Sequence, residues 1–149
     1  IQDGVPQLKG LKHSAMNQGF VRTFADMGLD VLIGNSTQML AAMTNGASGC
    51  VDGPPNVAPE LWVAIWKAYQ AGDLATAEAA QEHAAKLTAI VRDFGMHATI
   101  KALISERLGI DCGDPRLPTQ PLSPEIRAEV IRQAETLGVT KIAVAQSDD

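Results

Sequence analysis

Short apolar runs alternate with helical patterns in the first 72 residues, and this alternation constrains the fold more than any other feature. Three apolar runs predict buried strands, at 8–12, 31–34 and 48–52. A helical pattern follows each strand, at 17–27, 37–44 and 59–70. Strands that alternate with helices in this way are parallel and their crossovers are right-handed, so the three units belong to one sheet or barrel.

After Gly72 the sequence predicts only helices. Asp73 can cap a long helix, and Ser123 before Pro124 starts the last one. The last helix is expected to bury five apolar residues: Ile126, Val130, Ile131, Ala134 and Leu137. The chain therefore divides into a strand-and-helix part at 1–72 and a helical part at 73–149.

Three parallel strands are expected to be only part of a sheet. Parallel sheets usually have both faces covered, and three strands would leave the edges open. Ile1 is not a natural first residue. We therefore expect further strands to come from upstream residues or from a second chain.

Composition excludes several classes of function. A net charge of -5 does not favour nucleic acid, because binding to phosphates requires a basic surface. No apolar run approaches the roughly 20 residues of a membrane span. The two cysteines form no C-x-x-C pair and the three histidines have no metal-binding spacing, so no metal is expected. A reducing cytoplasm fits this cysteine usage.

Lys12 ends the first predicted strand, on the same face as Leu8 and Gly10. Ligand sites of parallel sheets and barrels gather at the carboxyl ends of strands. Partial burial there would lower the pKa of the lysine, and the neutral amine can attack a ketone. A structural lysine that points to water is the alternative, and it is the more common case for this position alone.

Small polar and glycine-rich turns follow the other two strands. The turn 34–37, which contains Gly34 and Asn35, could hydrogen-bond a ligand, and so could the stretch 46–59, which contains Val51 and Asp52. Ordinary strand-to-helix turns are the alternative for both. The Gly-Lys-Ser/Thr ending of a phosphate loop is absent from them. Cys50 is interpreted as a small apolar filler.

Taken together, these segments resemble the dihydrodipicolinate synthase / N-acetylneuraminate lyase family of Schiff-base aldolases. In that family a glycine, an aliphatic residue and the reactive lysine end the sixth strand, as Gly10, Leu11 and Lys12 do here. The matching segments follow one another along nearly the whole chain, at 5–14, 31–35, 46–51, 56–60, 71–77 and 101–123.

The resemblance implies an α/β fold: strands 6–8 of a (β/α)8 TIM barrel at 1–72, followed by a three-helix C-terminal extension at 73–149. It implies a cytoplasmic homotetramer that condenses a lysine with pyruvate or another 2-oxo acid and uses no cofactor. The imine then supports aldol condensation with an aldehyde, or the reverse cleavage. A 2-keto-3-deoxy sugar acid aldolase or dehydratase, or a non-catalytic homologue that binds a small acid, is the alternative.

The resemblance also assigns roles to individual residues. Lys12 takes the role of the imine-forming lysine. Val51 matches the eighth-strand residue whose backbone carbonyl lies near the substrate, and Asp52 follows it where many members have a small or hydroxyl residue. Gly34 and Asn35 would border the variable end of the substrate.

Two departures from the family pattern bear on specificity and completeness. Sialic-acid-cleaving members have an Asp-Glu pair where Ser36 and Thr37 stand here. The family also needs a proton-shuttling tyrosine and a Gly-Thr-Thr/Ser-Gly-Glu loop that binds the carboxylate, both from the first half of the barrel. Tyr69, the single tyrosine here, is expected to pack on an outer helix. We therefore expect this chain alone to be an incomplete fragment that lacks the N-terminal half of the barrel.

Overall fold

The computed structural model describes residues 4–139 and 141–142. Three parallel strands form one sheet in the order β1-β2-β3, as the alternation predicts. Their bounds are Gly10–His13 for β1, Asp30–Ile33 for β2 and Gly49–Cys50 for β3. Lys12 lies opposite Leu32, and Ile33 lies opposite Cys50. The three carboxyl ends therefore meet at one edge of the sheet.

Six α-helices are present in the described residues, and the first three begin and end within two residues of their predicted bounds. They are α1 (Gln18–Asp26), α2 (Met39–Thr44), α3 (Pro59–Gln70), α4 (Leu74–Asp93), α5 (Met96–Leu108) and α6 (Pro124–Thr136). Short 3-10 helices precede α2 and α3, at Ser36–Gln38 and Pro54–Asn56. Asn17, Asp73 and Ser123 cap α1, α4 and α6, because each side chain accepts a backbone N–H of the first turn.

The core lies between one face of the sheet and the helices. Val31 and Ile33 point into it from β2 and are fully buried, together with Ile65 of α3 and Leu87 of α4. Because Ile65 and Leu87 come from either side of Gly72, the two parts of the chain share one core. The opposite face of the sheet carries Lys12, which is exposed in the described part of the chain.

Helix α3 is attached to the loop and helix that follow β2. The indole N–H of Trp62 donates to the carbonyl of Ser36 at 3.1 Å, and the Tyr69 hydroxyl donates to the carbonyl of Met43 at 3.0 Å. Buried Trp and Tyr side chains usually need such a partner. Tyr69 therefore packs on a helix, as the sequence predicts.

The predicted buried face of α6 was partly wrong. Val130 and Ala134 are buried, but Ile126 is 42% exposed. Ile126 lies in the first turn of the helix, whereas the buried residues come from its middle and end. The apolar period of a helix shows which side faces inward, but where along its length the helix makes contact depends on its neighbours.

Within residues 4–139 and 141–142, none of the helices combines the length and apolarity that crossing a lipid bilayer requires.

Candidate functional site

The Lys12 side chain crosses directly over Gly34. A Cβ atom built on Gly34 would lie 2.5 Å from Cε of Lys12 and 2.2 Å from Oγ of Ser14. The two residues meet because β1 and β2 are adjacent and parallel, and Gly34 continues β2 with its N–H bonded to the carbonyl of His13 at 2.7 Å. Glycine at position 34 therefore leaves the space that the lysine occupies.

Asn35 turns away from Lys12. Its side-chain oxygen accepts hydrogen bonds from Oγ1 of Thr37 at 2.7 Å and from the Arg92 guanidinium at 3.3 Å. Its amide nitrogen lies 3.0 Å from the sulfur of Met16. Of the two residues predicted to border the substrate, the structure therefore brings Gly34 to the lysine and gives Asn35 protein partners.

Val51 follows β3 at the same edge of the sheet. Its N–H donates to the carbonyl of Ile33 at 2.9 Å, and its side chain is 47% exposed. The Val51 carbonyl accepts no hydrogen bond from the part of the chain that the structure describes. An unpaired carbonyl at a strand end can face a bound molecule, which is the geometry that its predicted role requires.

Asp52 connects the ends of β2 and β3. One carboxylate oxygen accepts the N–H of Ser36 at 2.8 Å, and the other accepts the N–H of Gly53 at 2.8 Å. A carboxylate held by backbone amides stabilises the turn that it spans. The geometry gives Asp52 a structural role at the edge, and its contact with substrate stays a prediction.

The pKa of the Cys50 thiol reflects the burial and the charges at this edge of the sheet. Burial raises its pKa to about 12, the neighbouring Asp52 carboxylate raises it too, and the positive charge of Lys12 acts in the opposite direction. The thiol therefore stays protonated at neutral pH and is a poor nucleophile. This agrees with its interpretation as a filler.

Arg92 is the residue at this edge that the sequence did not single out. It lies in the last turn of α4, more than fifty positions after its partner Asn35. A basic residue there is common, since it complements the helix dipole, and so it gave no signal of a site. Only the packing of α4 against the turn after β2 brings the guanidinium to Asn35.

The described residues include no group of three or more His, Cys, Asp or Glu side chains that could hold a metal ion. The carboxyl edge of the sheet instead carries the Lys12 amine, the unpaired Val51 carbonyl and the Arg92 guanidinium. These groups can bind an acid or a carbonyl compound through hydrogen bonds and charge.

Comparison with known proteins gives consistent matches. Residues 3–137 match the sequence model of the Dihydrodipicolinate synthetase family. The chain is 32% identical over 139 residues to 4-hydroxy-tetrahydrodipicolinate synthase of Exiguobacterium sp., covering 87% of this chain and 45% of that protein. It is 30% identical over 148 residues to N-acetylneuraminate lyase of Rattus norvegicus, covering 92% of this chain and 44% of that protein.

A solved structure matches the fold as well. N-acetylneuraminate lyase (sialic acid aldolase) of Aliivibrio salmonicida superimposes with a TM-score of 0.81 at 27% identity, covering 94% of this chain and 47% of that one. The chain thus spans about half the length of the relatives it matches. Its fold is that of the C-terminal half of their TIM barrels, which confirms the predicted fold class.

Proposed function

Because the chain belongs to the dihydrodipicolinate synthetase family, we propose that it carries the imine-forming lysine of a 2-oxo-acid-dependent lyase or synthase, and that Lys12 is this lysine. The family relationship by itself supports an aldolase-type lyase. Pyruvate as the 2-oxo acid, and the imine as the intermediate, belong to the proposal.

The observation that carries the proposal is the placement of Lys12. Its side chain lies at the carboxyl edge of a parallel sheet, in the space left by Gly34. Active sites of barrel enzymes are built at this edge, and an amine needs open space on one side to be approached by a ketone. Val51 offers an unpaired carbonyl at the same edge.

The proposed chemistry balances without a cofactor. The neutral Nζ of Lys12 attacks the ketone carbon, and the resulting carbinolamine takes up a proton from solvent and loses water to give a protonated imine. The imine nitrogen accepts the electron pair that remains when the neighbouring carbon loses a proton, which gives an enamine. The enamine carbon attacks an aldehyde to form the new carbon–carbon bond, and the reverse sequence cleaves it. Water then hydrolyses the imine and frees the amine.

The residues after β2 argue against a sialic acid substrate. Ser36 is fully buried, and the Thr37 hydroxyl donates to Asn35 at 2.7 Å. Neither side chain is available to hold a polyol in the way that the resemblance assigns to an Asp-Glu pair. The proposal therefore favours a condensation or cleavage with a smaller aldehyde.

Two groups in the proposal come from outside the described residues. A carboxylate-binding loop and a proton-shuttling tyrosine belong to the other half of the barrel by resemblance. The Tyr69 hydroxyl is bonded to the carbonyl of Met43 and does not fill the second role. The proposed partner is therefore the N-terminal half of a barrel, within a homotetramer.

Borohydride trapping tests the proposal directly. Pyruvate and borohydride, added to the protein in its full natural chain, should leave a reduced pyruvate adduct on Lys12, mapped by peptide mass spectrometry. Lys12→Ala should abolish the adduct. Lys9→Ala is the matched control, because Lys9 is an exposed lysine just before β1, away from the carboxyl edge, and should not affect trapping.

Two outcomes would overturn the proposal. An adduct that survives in Lys12→Ala would assign the chemistry to another amine. Pyruvate binding by calorimetry with no trapped adduct would instead indicate a non-catalytic homologue that binds a small acid.

A further inference from the structure

A cavity of about 420 Å³ lies between α5 and the loop 115–119, away from Lys12. Cavities that bind small molecules are typically about 300–1,000 Å³. None of Lys12, Gly34, Asn35, Val51 and Asp52 lines it. The cavity is therefore separate from the site at the edge of the sheet.

The lining of this cavity is basic, although the chain as a whole has a net charge of -5. Lys101 and Arg116 contribute two cationic side chains, His97 adds an imidazole, and no acidic residue lines the wall. Within the part of the chain that the structure describes, no side chain pairs with the Arg116 guanidinium. Two cations in a lining that contains no carboxylate favour an anion between them.

The wall is built before any ligand arrives. The Lys101 ammonium donates to the carbonyl of Cys112, and the N–H of Cys112 donates to Oγ of Ser105 at 3.1 Å, so two bonds attach the loop to α5. A turn then presents Arg116, whose carbonyl accepts the N–H of Thr119 at 3.2 Å. A wall that is already ordered lowers the entropic cost of binding. The Lys101 ammonium keeps two further N–H groups for a ligand.

Apolar side chains form the rest of the cavity. Ile100 lies one turn of α5 from His97, and Leu117 is 81% exposed at the rim. A ligand that covers such an exposed apolar side chain removes apolar surface from water, and this favours binding. The cavity therefore suits a molecule with an apolar body beside its charge, which inorganic phosphate lacks.

We propose that this cavity binds a small organic carboxylate. The carboxylate accepts hydrogen bonds from the Arg116 guanidinium and the Lys101 ammonium. The apolar body of the ligand lies against Ile100 and Leu117. Binding in this cavity does not depend on Lys12. The carboxylate should therefore still bind when Lys12 is replaced.

Calorimetric titration with three probes tests the ligand class. Benzoate should bind, whereas benzamide, which has the same shape without the charge, should bind at least about tenfold more weakly. Inorganic phosphate, which has charge without an apolar body, should also bind more weakly than benzoate. Equal binding of benzoate and benzamide, or no binding of benzoate, would overturn the proposal.

Variants of the full natural chain test the location. Arg116→Gln should weaken benzoate binding about tenfold, and Leu117→Ser should weaken it less. Lys86→Gln is the charge-matched control, since Lys86 is exposed on α4 and does not line the cavity. Circular dichroism verifies that each variant is folded. An equal loss in Lys86→Gln would show that general charge accounts for the binding and would contradict the assigned site.

Lys12→Ala separates this proposal from the proposed function. Benzoate should bind this variant as tightly as it binds the unchanged protein. Loss of benzoate binding in Lys12→Ala would place the probe at the imine lysine and overturn the second site. A failure of pyruvate trapping, in contrast, would leave the benzoate result unaffected.

Discussion

At the scale of single residues, the candidate site depends on the absence of a side chain at Gly34. Gly34 has an ordinary backbone conformation, so glycine is not required there by its φ angle. Its importance lies in space, because Cε of Lys12 and Oγ of Ser14 both lie where a Cβ atom would be and would have to move if one were added. A lysine that must react with a ketone has to be well positioned, and a Cβ atom at position 34 would displace its side chain.

Gly34→Ala should therefore slow pyruvate trapping at Lys12 by about tenfold to a hundredfold, because a displacement near 1 Å has effects of this size. The rate of adduct formation under borohydride is the measurement. Gly49→Ala is the control on the next strand, since its Cβ would lie 3.4 Å from the flexible end of Leu32. Equal trapping rates in both alanine variants would contradict the spatial role of Gly34.

The Cys50 thiol gives a second prediction at this scale. Its pKa is raised from 9.0 to about 12, so at pH 8 the folded protein should hold about a thousandfold less thiolate than the unfolded chain. Iodoacetamide should label Cys50 slowly in native protein and rapidly in urea, measured by mass spectrometry on a Cys112→Ser background.

The pH dependence of stability follows from the same shift. A thiol whose folded pKa is raised contributes stability that is complete below pH 9 and is lost as the pH rises towards 12. Labelling should accelerate about tenfold per pH unit over this range. Labelling of native and unfolded protein at similar rates at pH 8 would show that Cys50 is not protected.

At the scale of elements, α5 is attached to α3 through one buried guanidinium. Arg107 donates to the carboxylate of Glu60 at 2.6 Å and 3.3 Å, and also to the carbonyl of Val57. The Arg107 side chain is 8% exposed and that of Glu60 is 51% exposed. The bond to the buried carbonyl therefore matters more than the half-solvated ion pair.

Arg107→Met should lower the free energy of unfolding by about 2–3 kcal/mol, because the Val57 carbonyl loses its partner inside the protein. Glu60→Gln should lower it by less than about 1 kcal/mol, since it weakens only a pair that water already screens. Urea unfolding of both variants measures the difference. A larger loss in Glu60→Gln would mean that the ion pair, and not the carbonyl bond, holds α5 in place.

At the scale of the whole molecule, one face of the sheet is packed and the other is open. The helices bury Val31 and Ile33, while Lys12 on the opposite face is exposed in the described part of the chain. Parallel sheets normally have both faces covered. The chain spans about half the length of its relatives, so the groups that enclose the lysine are proposed to come from the remainder of a barrel.

A polypeptide of only these 149 residues should therefore trap pyruvate at least about a hundredfold more slowly than the same polypeptide supplied with the proposed N-terminal half of a barrel. General acid–base groups contribute factors of about this size, and the proposed tyrosine and carboxylate loop lie outside the described residues. Parallel trapping time courses measure the ratio. Similar rates would show that residues within the chain supply both groups.

The order and type of the elements follow from the sequence alone. Apolar periodicity and capping residues such as Asn17, Asp73 and Ser123 act within one element, so they can be interpreted without knowing what the element packs against. The family resemblance added the barrel and the proposed role of Lys12, because its motifs keep their order along the chain.

Which side chains meet depends on how the elements pack. Lys12 over Gly34, Asn35 beside Arg92 and the cavity around Arg116 all join residues from different elements. Ile126 was expected to be buried and is not, for the same reason. A local pattern shows which way a residue faces, but the distance to its partner depends on how the strands and helices pack together.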